Sequence, residues 1–82
     1  EEIDEQVYAK VNLAIESLPE QCRLIIKLNV LEGKKYQEIA EELGITINTI
    51  RTQVSRGYKK LRDILSEEVD SSVLFFMFLK NK

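Results

Sequence analysis

The stretch from Tyr36 to Leu65 constrains this chain most. Ile39, Ala40 and Leu43 lie three and four residues apart and share one helical face. Gly44 follows at once, where a helix can end in the left-handed conformation that glycine adopts cheaply. Ile45 fills the corner, and Thr46 is placed to cap a new helix through a backbone N–H two or three residues on. Ile47, Ile50, Val54, Tyr58, Leu61 and Leu65 then continue an apolar stripe at three- and four-residue spacing. Small Ala40 lets two helices cross closely. The whole reads as a helix-turn-helix whose second helix is long.

A plain helical hairpin would show the same packing pattern, and charge separates the two readings. Residues 1–42 carry five basic and ten acidic side chains, a net of −5. Residues 43–65 carry Arg51, Arg56, Lys59, Lys60 and Arg62 against Asp63 alone, a net of +4, inside a chain whose total is −2. One basic helix in a mildly acidic protein gives a local field that steers a polyanion.

At 82 residues and 44% hydrophobic, the chain is expected to form one small all-α domain, a bundle of four to five helices without winged elements. The divisions expected are a helix-turn-helix domain over 1–70 and a short apolar helix or tail over 71–82. Cys22 is the only cysteine and His is absent, which argues against metal or haem sites, internal disulfides and general-base catalysis; no cofactor and no enzymatic activity are expected. The opening EEIDEQ lacks the pattern of a secretory signal. Val73–Leu79 is the longest apolar run, seven residues where a membrane span needs about 20. A cytoplasmic setting is expected, and Glu1 in place of Met suits a piece of a longer chain.

In order, the spacing predicts helix A at about 3–17, from Ile3, Val7, Val11, Ala14, Ile15 and Leu18, with Glu1, Glu2, Asp4 and Glu5 near its positive end. Ser17 and Glu20 have capping-box spacing around Pro19. Helix B follows at about 20–31, apolar on most faces and so either central in the bundle or sharing a face with a partner, with Gly33 just past its end. Helix C spans about 35–43, and its start looks poorly capped for want of a small polar residue. Lys34 and Lys35 there either reach a DNA phosphate or are solvated.

Helix D spans about 47–66. With its apolar stripe inward, Asn48, Thr49, Arg51, Thr52 and Ser55 face out near its start, with the chemistry that base edges require. Arg56, Lys59, Lys60 and Arg62 suit phosphates. Gly57 within this helix points to the close approach of another backbone. Helix E, about 72–80 and capped by Asp70 or Ser71, is apolar on every face. It packs on the core, docks on another chain, or stays loose; docking would make Val73, Phe75, Phe76 and Phe78 a self-association surface.

Residues 17–65 resemble region 4, the C-terminal promoter-reading part of bacterial sigma factors of the extracytoplasmic-function (ECF) group. The resemblance rests on Leu18-Pro19, Glu32-Gly33, the run Tyr36 to Glu41, Leu43-Gly44-Ile45, Thr49-Ile50-Arg51, Ser55-Arg56 and Lys59-Lys60-Leu61-Arg62. It implies a four-helix domain bound to the −35 element of double-stranded promoter DNA, contact with the β flap of RNA polymerase core, and sequestration by an anti-sigma factor. By position it assigns Thr46, Asn48, Thr49, Arg51, Thr52 and Ser55 to base reading, and Arg56, Lys59 and Lys60 to phosphates; Lys35 joins the phosphate set from its place at the start of helix C. Lys35 stands where the family has a small polar cap, and Gly57 where it has a larger residue. The phenylalanine-rich tail lies outside the motif, and no counterpart of region 2, the module that melts DNA, is seen. Two rivals share the core pattern: a LuxR-type output domain of response regulators, and a helix-turn-helix used only to bind protein.

Overall fold

The computed structural model describes residues 4–82. Its elements are α1 (Glu5–Ile15), α2 (Glu20–Ile26) running on into a π-helical turn (Lys27–Leu31), α3 (Tyr36–Leu43), α4 (Ile47–Ile64) and α5 (Ser71–Leu79). Among the described residues there is no strand, as an all-α bundle with a helix-turn-helix requires. Ile3 and the carboxylates of Glu1 and Glu2 lie outside the described residues.

Local chemistry sets most boundaries. Asp4 caps α1 by accepting the Gln6 N–H at 2.8 Å. The capping box expected of Ser17 and Glu20 does not form. Ser17 donates its hydroxyl back to the Ala14 carbonyl at 2.7 Å, and Pro19, which has no side-chain acceptor, takes the cap position of α2. The last turn of helix B is wider than expected: Glu32 donates to the Lys27 carbonyl five residues back, a π-type bond. Gly33, at φ 73°, ends it, and the Lys34 N–H closes on the Leu28 carbonyl at 3.0 Å. The start of α3 is better capped than its sequence suggests, because the Glu38 carboxylate reaches back to accept the Lys35 N–H at 2.8 Å. Gly44, at φ 68°, makes the tight turn into α4.

The core is a single cluster. α1 contributes Val11, Ala14 and Ile15; α2 contributes Cys22, Ile25 and Ile26; α3 contributes Ile39 and Ala40; α4 contributes Ile50, Val54 and Leu61, all buried. α2 packs chiefly on α4, and Gly57 is the point of closest approach. A Cβ there would lie 2.8 Å from Ile26 Cγ1 and Cδ1 and 3.0 Å from Cys22 Sγ. The glycine therefore answers to two side chains of α2, not to a passing backbone. Burial pushes the Cys22 thiol pKa up, with the Lys60 and Arg56 cations opposing the rise.

α5 is part of this core. Leu74, Met77 and Phe78 are buried, and Tyr58 of α4 meets Phe78 and Phe75 edge-on, with ring centroids 5.2 and 6.4 Å apart. Burying three such side chains contributes several kcal/mol at about 1.5–3 kcal/mol each, which outweighs the marginal stability of a two-turn helix. Phe78 is thus unavailable as a self-association surface and Val73 is half-buried, while Phe75 and Phe76 stay exposed. Asp70 caps α5 by accepting from the Ser72 N–H and hydroxyl, and those bonds hold its carboxyl below the usual carboxylate range.

Two outcomes follow. Gly57→Ala gains about 1 kcal/mol of helix propensity but overpacks at a cost of about 1–3 kcal/mol. Urea denaturation should give a lower midpoint at unchanged slope, and Ile26→Val in the Gly57→Ala background should recover part of the loss. Asp70 has a depressed folded-state pKa, so its contribution is full above the unfolded value near ~4 and disappears as pH falls through the folded value. Thermal melts between those limits should show a pH dependence that Asp70→Asn, a cap that does not titrate, removes.

Candidate nucleic-acid interface

α4 presents the site because its inner face is fully used. Ile50, Val54, Gly57 and Leu61 point inward, so the residues between them must face out. Asn48, Arg51, Thr52, Ser55, Arg56, Lys59 and Lys60 are all exposed, and Thr49 is half-buried. At roughly 100° per residue these divide into three rows. Asn48, Thr52 and Lys59 form the outermost ridge. Arg51, Ser55 and Arg62 lie on the flank next to Tyr58. Arg56 and Lys60 lie on the opposite flank, beside α2, where their charges bear on Cys22. A helix seated in a major groove has one phosphate strand on each side, and cations on both flanks suit that arrangement.

The start of α4 is fixed by Thr46. Its hydroxyl oxygen accepts the Thr49 N–H at 3.1 Å, and the two threonine hydroxyls lie 3.0 Å apart. One hydroxyl proton of the pair goes into that contact and one is left to donate outward. Arg51 leans toward Asn48 Oδ1 at 3.4 Å, so the two polar side chains suited to guanine and adenine sit together. Arg62 lies over the Tyr58 ring, 5.6 Å from its centroid, which draws it toward the aromatic cluster.

Asp63 is the one carboxylate on α4, against five cations. Among the described residues the ion pairs are Lys27–Glu16 and Lys34–Glu42, and no basic residue of α4 takes part in either. Lys34, one of the two lysines at the start of α3, is tied to Glu42 at 2.6 Å, and that hydrogen bond raises its pKa. Lys35 is exposed, with its backbone N–H taken by Glu38. Two residues that sequence reasoning left aside also border the site. Tyr36 lies near Arg51; burial raises the phenol pKa and the Arg51 cation opposes it. Asn29 is fully buried and donates to the carbonyls of Lys34 and Asn81, at 2.8 and 2.6 Å. The sequence signal for Asn29 was a lone polar residue on the stripe of Cys22, Ile25 and Ile26.

This arrangement, a helix-turn-helix with a basic second helix, defines a nucleic-acid-binding class of fold. Comparison with known proteins narrows it. Residues 8–61 match the family described as sigma-70, region 4. The ECF RNA polymerase sigma factor SigE of Mycolicibacterium smegmatis is 36% identical over 64 residues, covering 78% of this chain and 25% of its own length. The ECF RNA polymerase sigma-E factors of Salmonella typhimurium and Escherichia coli are each 37% identical over 55 residues, covering 67% of this chain and 29% of theirs. No solved structure matches the chain significantly. The chain belongs to the sigma-70 region 4 family, and it spans between a quarter and a third of the length of these relatives. The LuxR-type rival is not favoured. Among the described residues no helix is long and apolar enough to cross a membrane.

Thr46 serves the cap whatever else it touches. Thr46→Ala should cost about 1 kcal/mol of stability in denaturant titrations, and Thr46→Ser should restore it. A loss of DNA affinity in the serine variant as well would show that the threonine methyl is read.

Proposed function

We propose that this chain is the promoter-reading domain of an ECF-type sigma factor, which places RNA polymerase by binding the −35 element in the major groove through α4. The observation that carries this reading is the row of outward polar side chains on α4, with basic ones that enter no ion pair among the described residues, in a chain of the region 4 family. In it, Thr46, Asn48, Thr49, Arg51, Thr52 and Ser55 contact base edges, while Lys35, Arg56, Lys59 and Lys60 contact phosphates. The chemistry is recognition, not catalysis. Arg51 donates two parallel bonds to guanine O6 and N7, Asn48 exchanges bonds with adenine, and the flanking cations fix register without reading sequence. Likeness to proteins named as RNA polymerase sigma factors supports RNA polymerase as the partner; contact through the β flap of the core, an anti-sigma factor as a second partner and a cytoplasmic setting belong to the same proposal.

Binding to a duplex selected by the chain from a randomised pool tests the reading. Arg51→Ala should weaken it by about 1–3 kcal/mol and relax preference at one position. Lys59→Ala should weaken all sequences alike. With four to five phosphate contacts, log affinity should fall with log salt at a slope of about −3.6 to −4.5. A flat salt response, or no selected sequence at all, would leave the helix-turn-helix as a protein-binding module.

A further inference from the structure

α4 and α5 leave a groove of about 320 Å³ between them. Its floor is apolar, from Val54, Tyr58, Phe75, Phe78 and Leu79. Its polar rim is Tyr36, Arg51, Ser55 and Lys82. Two cationic and no acidic side chains line it, although the chain has 14 acidic residues against 12 basic ones. That lining selects an anion with an apolar part attached.

The C-terminal segment is held at this place by a specific latch. Asn29 donates to the Asn81 carbonyl at 2.6 Å, and Asn81 returns a bond to the Asn29 carbonyl at 3.1 Å. One residue on, the Lys82 carbonyl accepts the Tyr36 N–H at 3.3 Å. Lys82 is thereby fixed between the start of α3 and the Arg51 flank of α4, with its side chain exposed. A floating tail would not need a fully buried asparagine to hold it.

We propose that the groove between α4 and α5 takes the sugar–phosphate backbone of one DNA strand, with Lys82 contacting a phosphate and Asn29 acting as its positioning residue. This rests on the DNA-reading function proposed above and extends its footprint to the tail. The deoxyribose packs on the apolar floor, and the phosphate meets Lys82 at the rim, leaving the Arg51 fork to its base. An acidic peptide would meet the same cations. DNA is favoured because Arg51 and Ser55 belong to both the groove and the reading face, so a duplex seated on α4 carries a backbone strand past the rim.

The test measures affinity and salt slope on the duplex selected from the randomised pool. One lost phosphate contact makes the slope less negative by about 0.9, which at about 0.15 M salt is a roughly fivefold weakening. Lys82→Ala should show both changes, and Lys82→Arg neither. Lys10→Ala, which removes the same charge from α1 outside the groove, should leave the slope unchanged. Asn29→Leu should reproduce the loss, and adding Lys82→Ala to it should cost nothing further. Unchanged affinity and slope for Lys82→Ala overturn the proposal, and bind the groove to an acidic protein segment if it binds anything. Tighter binding overturns it also, since the tail would then obstruct DNA. If Arg51→Ala weakens binding while Lys82→Ala does not, the groove assignment alone fails. If Arg51→Ala is also silent, the DNA reading fails with it.

Discussion

The close approach of α2 to α4 at Gly57 governs the rest of the domain. With no Cβ at that position, Ile26 and Cys22 press directly against the α4 backbone. Both residues are buried, and neither can yield without disturbing a close-packed core. That contact fixes the rotation of α4 about its own axis. Once Gly57 faces α2, Ile50, Val54 and Leu61 must face inward with it, and Asn48, Thr52 and Lys59 must face out. The presentation of the polar ridge is a consequence of packing on the opposite side of the helix.

Electrostatics then follows from the same rotation. Most acidic residues lie outside α4, and the chain spends some of them locally: Glu16 on Lys27, Glu42 on Lys34, Glu38 on a backbone N–H. Asp63 is the one carboxylate on α4, and among the described residues no ion pair joins an acidic side chain to the basic ones of that helix. A protein whose net charge is −2 can therefore carry a cationic edge, since five cations outnumber one carboxylate there and most other carboxylates are screened beyond roughly 8–10 Å at physiological salt.

What the sequence disclosed divides along a physical line. Apolar spacing located α1, α3 and α4, because a buried face must repeat every three to four residues whatever it packs against, while α2 and α5, apolar on most or all faces, were placed by the cap and turn residues that bound them. The glycine turns were legible for a similar reason: a left-handed φ at Gly33 and Gly44 is a local requirement. Features that depend on which partner arrives were not legible. Ser17 had the right neighbour for a capping box, yet its hydroxyl found the Ala14 carbonyl closer. Gly57 signalled close approach but could not say that side chains, rather than a backbone, fill the space. The apolar sequence of α5 demanded burial without naming Tyr58 as its seat. The candidate site was legible as a list of outward residues, but its division into a ridge and two flanks, and the presence of Tyr36, Asn29 and Lys82 beside it, needed three dimensions.

Tyr58 shows how one residue joins the fold to the site. Its ring takes Phe78 and Phe75 edge-on and lies under Arg62, so it is the anchor that brings α5 back along α4. A smaller residue there would leave the helix exposed on a flank already lined by Val54 and Leu65. Because α5 runs from Asp70 back toward the start of α3, its end arrives where Asn29 can latch Asn81. Aromatic packing sets the path of the tail, and a buried amide sets where it stops. The first is non-directional and worth several kcal/mol; the second contributes less and is directional. Only the second can hold this segment in one register beside Arg51.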